Sequence, residues 1–186
     1  MDEAPFDFIV NHQTSDLDVF DGFVHRTFNA TDLKYFVQAI KNLYVNKGGL
    51  EFCITQHVSK MPLQTALHHF KNDFFEIPHE LRTEKHLADP LKGSAAKRIN
   101  MYLRWMVRPN TSGVDFGLWK SMHPRNLSCP LDVHSGTIAR KLGILNRKQN
   151  DAKAVLELDK QLRIMDSEDP VKYDFALFGL GAFEKF

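Results

Sequence analysis

Apolar residues in this chain recur at three- and four-residue intervals and almost never alternate, which restricts the fold to one built of helices. The clearest case comes after Pro62, where Leu63, Leu67, Phe70 and Phe74 stand at i, i+4, i+7 and i+11 and form a stripe fit for a core. An earlier helix is predicted from near Thr31, with Leu33, Phe36, Val37, Ile40 and Tyr44 on one side and Gly48-Gly49 ending it. Leu50 to Val58 reads as either helix or strand. The phenylalanines before Thr31, namely Phe6, Phe8, Phe20 and Phe23, are the expected partners of the Pro62 helix. Proline, histidine and charge then interrupt the pattern from Ile77 to Lys92, the place where two lobes of one domain would meet.

The second half continues in helices. One is expected from about Ser94 to Val107, another just after Asp132, another from Asp151 to Met165 with Asn150 as its cap, and the last from Asp169-Pro170 with Tyr173, Ala176, Leu177 and Leu180 on its apolar side. Between Arg108 and Pro130 the chain is irregular, and a loop that long inside a compact domain is usually functional or folded on itself. The fold class is therefore all-α, a multi-helix orthogonal bundle in a single domain spanning 1–186.

Composition narrows the chemistry. With 24 basic and 23 acidic residues the net charge is +1, so any basic surface must be local. Two cysteines, Cys53 and Cys129, cannot make a four-thiolate cluster, and no metal or other cofactor is expected. The acidic start lacks the basic-then-apolar layout of a secretory signal, and no apolar run reaches the roughly 20 residues of a membrane helix. A reducing, cytoplasmic setting with no membrane partner is the expectation. Asp115-Phe116-Gly117 matches a kinase tripeptide, but no phosphate-covering glycine loop accompanies it.

Two segments carry candidate chemistry. In the first, Pro130 cannot lie inside a helix, Asp132 is a favoured N-cap and Gly143 is placed to end the helix that Asp132 opens, so backbone geometry positions the Asp132 carboxylate. In the second, a wheel at about 100° per residue from Lys97 puts Ile99, Tyr102, Leu103, Met106 and Val107 in one sector, while Met101, Arg104 and Arg108 fall within roughly 40° of the Lys97 origin. That predicts a basic stripe opposite a packed face. Gly93-Ser94-Ala95-Ala96 precedes it, a run of small residues at a helix start, where exposed amides can receive a phosphate.

These two segments resemble the helix-hairpin-helix DNA glycosylases, the family of endonuclease III and 8-oxoguanine glycosylase. Leu131-Asp132-Val133-His134 followed by Ile138-Ala139-Arg140-Lys141-Leu142-Gly143-Ile144 is similar to that family's VDxHVxRVxxRLGL motif, and Gly93 to Lys97 is similar to its GxGxKxA hairpin. The resemblance implies a helix-hairpin-helix glycosylase-like fold, with Asp132 as catalytic carboxylate and Lys97 as nucleophile. It further implies damaged duplex DNA as partner, contacted by Gly93, Ser94, Arg98, Arg104, Arg108 and Lys141, and base excision with AP-lyase chemistry as the activity. His134 is read as a residue that orients Asp132 or packs, and Trp105, Phe116 and Trp119 as stacking or wedge residues for a flipped base or else as core residues. The run from Lys97 to Arg108, with Asp115 to Trp119 and Asp169 to Leu177, also resembles an uncharacterised bacterial family of conserved hypothetical proteins. Its members extend further at the N-terminus, which implies that the first helices of a glycosylase-like fold precede residue 1.

The residue types alone fit two other classes. One is a noncatalytic DNA-binding or structural relative, and the other is a helical protein-interaction module. Proximity separates them, because Lys97 and Asp132, 35 positions apart, must meet for the catalytic reading to hold.

Overall fold

Asn29 shows how this sequence starts its helices. Its side chain accepts the amide of Asp32 while the Asp32 carboxylate accepts the amide of Asn29, a reciprocal capping box that launches the chain's longest helix. The computed structural model describes residues 3–111, 113–184 and 186. Within them the order is α1 (Pro5–Asn11), a 3-10 turn, a two-residue hairpin of β1 (Val24–His25) and β2 (Phe28–Asn29), α2 (Ala30–Asn46), α3 (Gly49–Val58), α4 (Leu63–Phe74), α5 (Lys97–Val107), α6 (Val133–Lys141), α7 (Ala152–Met165) and α8 (Asp174–Ala182). The strands pair antiparallel, Val24 opposite Asn29 and His25 opposite Phe28. The rest is helix, short 3-10 turns and loop. The ambiguous stretch from Leu50 is helical, started by Gly48 in the left-handed region.

Two buried apolar clusters organise these elements. The first draws on Leu43, Ile54, Leu67, Phe70, Leu103 and Leu127 and holds α2 to α5 together. The second, built on Leu131, Ile138, Leu145, Val155, Leu158 and Leu162, unites α6, α7 and α8. Full burial of each such side chain is worth about 1.5–3 kcal/mol, so the clusters dominate the folding energy. The chain passes from one to the other between Leu127 and Cys129. Helix α5 serves both, because Leu103 and Val107 enter the first cluster while Ala95, just before it, packs on the second.

Three local expectations are corrected. The early phenylalanines do not cover α4: Phe6 packs edge-on against Tyr44 and Phe8 against Phe20, because α1 lies along α2, and Phe74 of α4 instead meets Tyr35 and Phe36. The α7 cap is Asp151, whose carboxylate accepts the Ala154 amide, and Asn150 is used elsewhere. The last helix is delayed to Asp174, since residues after Pro170 wind first as a 3-10 turn. No helix among the described residues is long and apolar enough to cross a membrane.

Candidate functional site

The start of α5 is built by a tight turn. Gly93 adopts φ +92°, its amide donates to Pro90 O, and its carbonyl accepts the amide of Ala152 at the head of α7 (3.0 Å). The Ser94 amide donates to Asp89 O, and Ser94 Oγ accepts the Ala96 amide at 3.1 Å. Ala96 itself sits at φ +49°, a left-handed conformation that costs a residue bearing a Cβ roughly 1–2 kcal/mol. From this turn Lys97 emerges as the first helical residue. Asn100, one turn on, donates from Nδ2 to Ala95 O at 3.1 Å and pins the turn from inside, while its Oδ1 is buried without a partner among the described residues.

Asp132 is held by α6. Its Oδ1 accepts the Ser135 amide (3.0 Å) and the Ser135 hydroxyl (3.2 Å), and Ser135 Oγ accepts the Asp132 amide (3.0 Å). Asn150 Nδ2 donates to the Asp132 carbonyl at 2.9 Å, and Arg140 Nη2 donates to Asn150 Oδ1 at 2.6 Å. Oδ1 is thus committed to the cap, and Oδ2 is turned toward Lys97, whose Nζ lies 3.7 Å away. The pair stays open to solvent, with the lysine side chain 41% and the aspartate side chain 21% exposed. The two residues that must meet do meet, at the seam between the clusters.

Behind the pair lies a buried ionic network. Arg104 donates to Asp115 Oδ1 (3.2 Å) and to Asp174 Oδ2, and its guanidinium lies 4.4 Å from the centre of the Phe175 ring. Arg108 bonds Asp115 and also Asp169, the latter at 2.9 Å. Burial pushes the Asp174 carboxyl above the usual carboxylate range, Arg104 pulls it back, and Asp132 adds repulsion. Burial likewise pushes the thiol of Cys129, which donates to Asp174 Oδ1, far above its ordinary value, so it is an inert core group.

This geometry revises the expected DNA contacts. Arg104 and Arg108 do not form a solvated stripe: Asp115 from the loop, Asp169 and the first residue of α8, Asp174, take up both guanidiniums, so neither is left free for a phosphate. The amides of Gly93 and Ser94 are already donated within the chain and offer no donor to an anion. His134 does not orient Asp132; it is exposed and packs edge-on against Phe178 (5.7 Å), and Ser135 and Asn150 do the orienting. Lys141 is exposed at the far end of α6, about 13 Å of helix rise from the Asp132 cap. Arg98 is exposed next to Lys97. Trp119 is core, whereas Trp105 and Phe116 are exposed and joined through the Phe116 amide and the Trp105 carbonyl at 2.7 Å. Asp115, in the kinase-like tripeptide, is a counter-ion. Ser135 is readable from sequence as the third residue of a capping box, but no pattern marks Asn150, Arg140, Asn100 or Asp174 as neighbours of the pair.

No three His, Cys, Asp or Glu side chains among the described residues are grouped to hold a metal ion. His57 and His68 are instead paired with Asp73 and Asp89, each at 3.0 Å.

A family described as protein of unknown function (DUF2400) matches residues 1–183. The chain belongs to that family. No curated protein and no solved structure matches it. The DUF2400 match spans both clusters and so takes in Lys97, Asp132 and the ionic network alike.

Proposed function

We propose that this DUF2400 chain is a DNA glycosylase-like protein that removes a damaged base and cleaves the abasic product by lyase chemistry. The observation that supports this most is the solvent-open Lys97–Asp132 pair at 3.7 Å, assembled from residues 35 positions apart. Departure of a base builds positive charge on the deoxyribose, and a fixed carboxylate beside it stabilises that charge. Asp132 has one oxygen free of its cap for this task. Lys97, once its proton has passed to water, attacks C1′ with its lone pair as the C1′–N bond breaks, while Asp132 stays ionised beside the sugar. The base leaves with the bonding electrons and takes up a proton, and sugar-ring opening with loss of a further proton from the amine yields a Schiff base.

A second reading, an ordinary helix cap with a tethered lysine, draws support from the completeness of the Asp132–Ser135 capping box. Borohydride trapping on duplexes carrying an abasic site, uracil or 8-oxoguanine separates the two. The glycosylase reading expects a covalent adduct that Lys97→Ala abolishes and base release that Asp132→Asn reduces by about 10²–10⁴-fold. Absence of both adduct and base release from every duplex, or an adduct indifferent to Lys97→Ala, overturns it.

A further inference from the structure

The β1–β2 hairpin and α5 enclose a cavity of about 500 Å³ that is separate from the Lys97–Asp132 pair. Its apolar wall is aromatic. Phe28 meets Phe36 edge-on at 5.1 Å and the His86 ring at 4.8 Å, and Phe23, also in the lining, meets Phe28 edge-on at 6.4 Å. Its polar lining includes His25 and Arg26 from the hairpin and Arg98 from α5, and no carboxylate lines it. All three side chains are exposed, and none has a hydrogen-bond or ion-pair partner among the described residues. That contrasts with Arg82, Arg104, Arg108, Arg140 and Arg147, each of which is tied to an acceptor.

The cavity is held ready by a buried support. Asp32 accepts from Arg82 (2.9 Å), Thr83 Oγ1 (2.7 Å) and His86 Nε2 (3.1 Å). Arg82 in turn donates from Nη2 to Thr27 O at 3.1 Å, which clamps the hairpin turn where Arg26 takes φ +57°. One carboxylate therefore fixes both the His86 wall and the loop that presents Arg26. A left-handed arginine at a turn tip, braced from beneath, is a costly way to display a charge unless something binds it.

Aromatic rings and two guanidiniums lining one cavity match a ligand with a flat ring and a phosphate. Guanidinium forks bind phosphate oxygens bidentately, aromatic faces stack nucleobases, and the volume falls within the range of small-ligand pockets. We propose that this cavity is a binding site for a nucleoside 5′-phosphate unit, with the phosphate on Arg26 and Arg98 and the base against Phe23 and Phe28. The unit is either a free mononucleotide or one residue of a DNA strand. The site does not depend on the chemistry assigned to Lys97 and Asp132.

Isothermal titration with dAMP, deoxyadenosine, inorganic phosphate and single-stranded dA6 tests it. Binding of dAMP is expected to exceed that of deoxyadenosine and of phosphate, and to fall about tenfold in Arg26→Ala and in Arg98→Ala. Phe23→Ala, a change at an exposed ring, is expected to weaken dAMP but not phosphate. Lys97→Ala is expected to leave dAMP binding unchanged, which keeps this result independent of the glycosylase experiment. If dA6 binds more tightly than dAMP and loses affinity with salt, the source is a DNA strand; equal affinity identifies the free nucleotide. No binding of either, equal binding of dAMP and phosphate, or full affinity in both arginine variants with unchanged melting temperature overturns the proposal.

Discussion

Replacing Arg104 by alanine tests whether the basic stripe of α5 is structural, as its burial implies, or a nucleic-acid surface. Arg104, Asp115 and Asp174 are each about 95% or more buried, so truncation leaves Asp174 without its cation, while Asp115 keeps Arg108 alone. Breaking a buried ion pair from one side typically costs about 3–5 kcal/mol, and the lost packing on Phe175 adds to it. Against a total stability of about 5–15 kcal/mol this is a large fraction, equivalent to a melting shift of roughly 6–20 °C for a chain of this length. The loss must also depend on pH. Burial already raises the folded pKa of Asp174, and removal of Arg104 raises it further. A carboxyl whose folded pKa lies above its unfolded value of about 3.9 penalises folding as pH rises through that interval, and the penalty is relieved as pH falls. Guanidinium titrations of wild type and Arg104→Ala are therefore expected to diverge more at pH 8 than at pH 5, by up to ~1.4 kcal/mol per pH unit within the window. Arg104→Lys, which keeps the charge but not the fork, is expected to fall between. A loss under about 0.5 kcal/mol, flat with pH, is what an exposed phosphate contact would give, and it would refute the buried-network account.

Other substitutions probe the support of the site. Asp132→Asn keeps an N-cap acceptor for the Ser135 amide and should cost little, whereas Asp132→Ala should cost about 1 kcal/mol in urea titration, so the asparagine variant isolates chemistry from capping. Gly136→Ala would bring a Cβ to 2.7 Å from Asn150 Oδ1, so that flexible side chain must swing off the Asp132 carbonyl; loss of that bond, about 0.5–1.5 kcal/mol, is set against the roughly 0.5–1 kcal/mol that alanine gains over glycine inside a helix, and a net change within about 1 kcal/mol is expected in urea titration. Burial works against ionisation of Asp32, but bonds from Asn29, Thr83 and Arg82 outweigh it and hold its carboxyl below the usual range. Its contribution is full above about pH 4 and lost as pH falls through the lowered value, so melting temperatures measured from pH 6 downward should decline less steeply in Asp32→Asn than in wild type.

Periodicity made the helices after α1 legible because their apolar faces enter the clusters: Leu63, Leu67, Phe70 and Phe74 are all buried, and so are Leu103 and Val107, whereas α1 has no buried residue. It misread the other face of α5, since a wheel shows that Arg104 lies outside the apolar sector without showing that the start of α8 meets it. The start of α8 at Asp174, 70 positions away, supplies the missing wall, and no local pattern encodes that contact. The Asp132 cap was legible for the opposite reason, because a capping box closes within four adjacent residues. Its meeting with Lys97 was implied by the glycosylase resemblance alone and by no local pattern, because it depends on Ala95, just before α5, packing on the second cluster while Leu103 and Val107 enter the first. The hairpin cavity was hidden for a third reason: Arg26 and Arg98 lie 72 positions apart in stretches that look like solvated surface.

Local costs gather at the head of α5, and this bears on what Lys97 is for. Ala96 occupies a left-handed conformation, Asn100 buries an unpartnered oxygen, and Lys97 places a cation at the helix end where the macrodipole is positive. A sequence selected for stability alone would place glycine before the helix and an acidic residue at its first position. Three departures within five residues are expected where another requirement has been met, and the lysine is the one with chemistry to offer. Its pairing with Asp132 is partly exposed and worth no more than about 1 kcal/mol, which the unfavourable dipole offsets by about 0.3–1 kcal/mol. Lys97→Ala is thus expected to leave stability unchanged or slightly raised in urea titration while removing any borohydride-trapped adduct. A destabilisation beyond about 1 kcal/mol would mean that Lys97 is retained to hold the two clusters together, and its unfavourable position on the helix would then need no chemical explanation.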